Sequence, residues 1–149
     1  MTNNEIKAIT KQWLSSKGFK KVREMEYSCT LVEQVNVVIL FGRSKFSESY
    51  EFDVGFRIKG VSTAWGWVRT HVKNNLSYYY EKWDKEDYLA TLEQMYHKYV
   101  RPYFDLGIGY IKNIIKDYRV SNGKVVKLPK ISGQPFMIHP DAVKIINNM

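Results

Sequence analysis

Between Gly18 and Gly60 one helix stop is followed by three runs in which apolar and polar residues alternate. Successive side chains of a strand point to opposite faces, so an alternating run can bury one face and must leave the other polar. From Val22 onward, Met25, Tyr27 and Cys29 point one way while Glu24, Glu26 and Ser28 point the other, which predicts a half-exposed first strand. In the second run Val35, Val37, Ile39 and Phe41 alternate with Asn36, Val38, Leu40 and Gly42, so both faces are largely apolar, as in a central strand. After a polar turn from Arg43 to Ser49, Tyr50, Phe52, Val54, Phe56 and Ile58 oppose Glu51, Asp53, Gly55, Arg57 and Lys59. Short polar connections make an antiparallel meander the simplest pairing.

Helices supply the cover. Asn3 or Asn4 caps a helix whose Ile6, Ile9, Trp13 and Leu14 face inward while Lys7, Lys11 and Gln12 face water, and Gly18 ends it with Phe19 folding back over its last turn. Trp65, Trp67, Tyr78, Tyr79, Tyr80 and Trp83 crowd the stretch after Gly60, and Val61 to Asn75 is read as holding a short helix. Asp84 caps a long helix with the stripe Tyr88, Leu89, Leu92, Met95, Tyr96, Tyr99 and Val100, which Pro102 should end or bend. Phe104, Ile108, Ile111, Ile114, Ile115 and Tyr118 predict a further helix, weakened at its first turn by Gly107 and Gly109 and packed antiparallel to the one before. Ser121-Asn122-Gly123 marks a small hairpin, Pro129, Gly133 and Pro135 break regularity, and a last short helix begins at Pro140. The fold class is α+β: an N-terminal helix and an antiparallel sheet of three or more strands, covered by two later helices and followed by an irregular basic C-terminal segment.

A chain of 149 residues with 44% hydrophobic and 26% charged residues fits a single domain over residues 1–149, with 119–149 as a basic, loosely packed segment. No apolar run reaches the roughly 18 residues of a membrane helix, and the opening MTNNEIKAIT lacks the basic-then-apolar order of a secretory signal, so a cytoplasmic protein is expected. The lone Cys29 forms no internal disulfide and reads as a buried small side chain rather than a reactive thiol. A net charge of +8 favours anionic partners, and half of it lies beyond Tyr118, where Arg119, Lys124, Lys127, Lys130 and Lys144 face the single acid Asp141.

The chemistry-bearing residues do not assemble a recognisable reaction. His71, His97 and His139 lie far apart and lack metal-ligand spacing, and Cys29 has no nucleophile motif around it. Gly107-Ile108-Gly109 follows a helical stretch and lacks the third glycine of a phosphate loop. Glu51 and Asp53 share one face of the third strand near Glu48, but Arg57 on the same face offers them a partner, so they read as a solvated, charge-balanced sheet face. No catalytic residue, metal or cofactor is assigned. The stronger candidate is a basic and aromatic binding surface built from Lys20, Lys21, Arg23, Arg43, Lys45, Trp65, Trp67, Tyr79, Lys124, Lys127 and Lys130.

Gly18-Phe19-Lys20-Lys21, Tyr27, Val35-Asn36-Val37, Lys45-Phe46-Ser47, Phe52-Asp53-Val54-Gly55 and Pro102-Tyr103-Phe104 resemble the bacterial family known as domain of unknown function 4304. The resemblance covers about residues 3–118 and implies an α+β helix-sheet domain with no assigned activity. Three readings follow. The first is a non-catalytic binding module that docks a protein partner, like an immunity protein in size and style. The second is a nucleic-acid-binding protein that uses the basic and aromatic surface. The third is an enzyme whose site assembles only on folding, at Glu51 and Asp53.

Overall fold

Helix α1, Asn3–Ser16, starts one residue earlier than its asparagines suggested. Thr2 is the cap: its side chain accepts from the Glu5 N–H, and the Glu5 carboxylate accepts from the Thr2 N–H at 2.6 Å. Two such reciprocal bonds outcompete the single bond that Asn3 or Asn4 could make. The other end stops as anticipated. With φ of +87° at Gly18, the Phe19 N–H reaches the Leu14 carbonyl and the Gly18 N–H reaches that of Ser15.

The structure is a computed structural model that describes residues 1–43, 50–61, 67–72, 84–116, 120–121, 124–125 and 140–149, with the backbone alone at 43, 50, 51, 67–72, 120, 121, 124, 125 and 140. Among the described residues, five strands form one antiparallel meander in chain order: β1 (Lys20–Arg23), β2 (Glu26–Val32), β3 (Val35–Arg43), β4 (Tyr50–Ile58) and β5 (Trp67–Val72). The single first strand expected from Val22 is two strands, because Glu24 and Met25 form a two-residue turn with Met25 at φ +66°. β3 is the middle strand, as its two apolar faces required. β5 lies where a short helix was expected; its register, Phe52 opposite Val72 through Arg57 opposite Trp67, extends the sheet instead.

On one sheet face Tyr27, Val37, Ile39, Phe41, Phe52, Val54 and Phe56 are all buried. Ile6, Trp13 and Leu14 of α1 join the same core, as do Tyr88, Leu92 and Met95 of α2 (Lys85–Met95). Asp84 caps α2, as anticipated, accepting from the Asp87 N–H. Pro102 does not separate two helices. A π-helical turn over Tyr96–Val100 absorbs it, the Arg101 N–H reaching back to the Tyr96 carbonyl, and α3 (Arg101–Leu106) continues the run with the proline in its first turn. The break comes at Gly107, whose φ of +61° disfavours a side chain, and α4 (Ile108–Ile115) follows. The hairpin β6 (Val120–Ser121) with β7 (Lys124–Val125) and helix α5 (Pro140–Asn147) fall where the turn triplet and Pro140 placed them. No helix among the described residues is long and apolar enough to cross a membrane.

A polar clasp joins α1 to α2. Trp13 Nε1 donates to Glu93 Oε1 at 2.7 Å, and Lys17 Nζ lies 2.9 Å from the same oxygen and 4.7 Å from the Tyr96 ring centre. Burial pushes the Glu93 carboxyl up, but the bonds from Lys17 and Trp13 outweigh it and hold its pKa below the ordinary glutamate value. A depressed carboxyl adds stability that is full above the unfolded glutamate pKa of about 4.3 and fades as pH falls through the folded value. The urea midpoint of a Glu93→Gln variant should therefore trail the parent at pH 7, and the gap should close as the pH is taken below the glutamate range. A gap that is unchanged in acid would remove this linkage.

Candidate functional site: a basic edge on the first hairpin

β1 is the terminal strand of the described sheet, and all four of its residues are exposed. Antiparallel pairing sends Lys21, opposite Tyr27, to the helix-covered face, while Lys20, opposite Ser28, faces the other way. A register shift between Lys21 and Arg23 leaves Val22 53% exposed among the cations. α1 runs beside this edge and adds Lys7 and Lys11 from its polar side, four residues apart and so on one face. Among the described residues, none of Lys7, Lys11, Lys20 and Lys21 has a carboxylate within ion-pair distance. Among the described residues the edge is thus a row of lysines outside any ion pair, carrying the exposed apolar side chain of Val22.

Arg23 is the exception, and its partner organises the sheet's other face. Glu26 is 3% exposed, with Arg57 Nη2 donating to its Oε1 at 2.6 Å. Arg23 Nε lies 2.6 Å from Oε2, at ion-pair distance although its N–H is not aimed for a hydrogen bond. This corrects the expected balance on β4, because Arg57 pairs with Glu26 on β2; the Glu51 side chain lies outside the described residues. Asp53 is itself buried, at 7% exposure, so the face is not the solvated one expected. The register lines up Glu26, Leu40, Asp53 and His71 across four strands. Among the described residues, no three metal-ligating side chains converge.

The structure gathers Lys20, Lys21 and Arg23 into one edge and adds Lys7 and Lys11, which the sequence had assigned only to a solvated helix face. Arg43 ends β3 at the same end of the sheet as the β1–β2 turn, since the Phe41 N–H bonds the Met25 carbonyl. Trp67 begins β5 opposite Arg57, two strands further along. Lys124 opens β7 in the separate small hairpin and is not part of the main sheet. Lys45, Trp65, Tyr79, Lys127 and Lys130, the Arg43–Ser49 turn beyond Arg43, and the Tyr78–Tyr80 run lie outside the described residues. Cys29 is half-buried rather than buried, and partial burial pushes its thiol pKa up, away from thiolate reactivity. Compared with family models, with curated proteins and with solved structures, the chain matches none.

Proposed function

We propose that the protein is a non-catalytic cytoplasmic binding module that docks an acidic protein partner along the β1 edge. The observation that carries this reading is an exposed terminal strand with Lys20, Lys21 and Arg23 around Val22, flanked by Lys7 and Lys11. An open strand edge offers unpaired backbone groups to an extended segment, and alternating cations and apolar contact select a segment with alternating acids. Nucleic acid fits this edge less well. Stacking of bases needs exposed rings beside the cations, and among the described residues the rings adjoining this edge, Tyr27 and Phe41, are 6% and 4% exposed.

The test uses an alternating Glu-Val peptide and a single-stranded oligonucleotide as probes, each read by fluorescence polarisation at low and near-physiological salt. The peptide should bind and slow amide exchange along β1, and Lys20→Glu should weaken it roughly tenfold, a loss of about 1.4 kcal/mol. Oligonucleotide affinity should fall steeply with salt. Oligonucleotide binding that persists at near-physiological salt while the peptide leaves β1 exchange unchanged would replace this reading with nucleic-acid binding.

A further inference from the structure

Behind the edge, on its helix-covered side, α1 and the β1–β2 hairpin enclose a cleft of about 170 Å³. Its rim carries Lys7, Lys11 and Lys21 against the single acid Glu24, and its floor is Met25, Tyr27, Phe41 and Gly42. The Met25 methyl lies where a Cβ of Gly42 would stand, so the absent side chain lets Met25 pack against β3. Tyr27 presents an uncharged ring, since burial pushes its phenol further up from an already high pKa.

Two quantities define what fits. An apolar cavity of about 150 Å³ holds a benzene ring, so this volume takes one ring with a small substituent. Three ammonium groups at the mouth select a negative substituent, and such charge-assisted contacts are strongest where the ligand's body has displaced water beneath them. We infer that this cleft is a binding site for a small aromatic carboxylate, its ring between Ala8 and Met25 over the small exposed parts of Tyr27 and Phe41, and its carboxylate among Lys7, Lys11 and Lys21. The cleft shares Lys7, Lys11 and Lys21 with the docking edge, but Lys20 and Val22 are not on its lining and Ala8 is, so Lys20→Glu tests the edge and Ala8→Leu tests the cleft. Either reading can fail without the other.

Benzoate is the probe, with acetate supplying charge without a ring and benzyl alcohol a ring without charge, each titrated into the whole protein and followed by amide chemical shifts. Benzoate should saturate and move the Ala8, Met25 and Gly42 amides, and both controls should bind at least about tenfold more weakly. The exposed Lys7→Gln/Lys11→Gln pair should lose benzoate affinity by a comparable factor. Ala8→Leu, which adds volume to the helical wall and leaves every charge in place, should weaken benzoate and not acetate. Equal binding of benzoate and acetate, non-saturating shifts spread over all exposed lysines, or full benzoate affinity in Ala8→Leu would each overturn the assignment.

Discussion

Trp13→Ala should destabilise the protein by about 4 kcal/mol, the cost of deleting a large buried aromatic ring with incomplete collapse around the cavity. Trp13 is the side chain through which α1, the sheet and α2 meet. Its ring centre lies 6.5 Å from Phe52 on β4 and 5.9 Å from Tyr96, the latter edge-on, and its indole N–H bonds Glu93. Trp13→Phe separates these contributions, because it keeps most of the ring contact and removes only the charge-assisted hydrogen bond, for a loss of about 2 kcal/mol. At this chain length, 4 kcal/mol corresponds to a fall of roughly 10 °C in Tm. Urea and thermal unfolding of the two variants measure both. If Trp13→Ala and Trp13→Phe lose the same stability, the clasp with Glu93 and not the aromatic packing joins the layers.

What was legible in the sequence was whatever local geometry decides. Gly18 stops α1 through bonds that span five residues, and β3 announces its central place because a strand between two neighbours, apolar on both sides, is apolar throughout. The split between β1 and β2 was hidden because the turn is Glu24-Met25, without the Gly or Asn that usually occupies a left-handed turn position. Met25 tolerates φ +66° while its side chain lies over Gly42, a contact that no local pattern announces. β5 was missed for a related reason. Arg69 and His71 alternate with Val68, Thr70 and Val72, but two aromatic-rich stretches surround only six residues of strand.

The candidate site was half legible for the same cause. Lys20, Lys21 and Arg23 are neighbours in the chain, whereas Lys7 and Lys11 join them only because the Ile6/Trp13 face of α1 must lie on the sheet beside the first hairpin. Arg57 was assigned to the acids nearest in sequence. Its real partner lies 31 residues away, and only the strand register reveals it.

That long-range pair supports the last prediction. Arg57→Leu should cost about 3 kcal/mol, because removing one member of an ion pair leaves the buried member uncompensated. The side chains divide unequally: Glu26 is 4% exposed, Arg57 35% and Arg23 64%. With Arg57 gone, the carboxylate stays buried and keeps only Arg23, which approaches it without an aligned hydrogen bond. Glu26→Leu should be milder, about 1 kcal/mol, since both guanidinium groups then turn to water and an apolar side chain fills the site. The double variant should fall closer to Glu26→Leu than to the sum of the two losses, the sign of direct coupling. Urea unfolding of the four proteins completes the cycle, and amide exchange along β2 reports whether the damage is local to the hairpin. Should Glu26→Leu prove the costlier change, the pair would act as a surface ion pair and the burial of Glu26 would not be what fixes the first hairpin to the sheet.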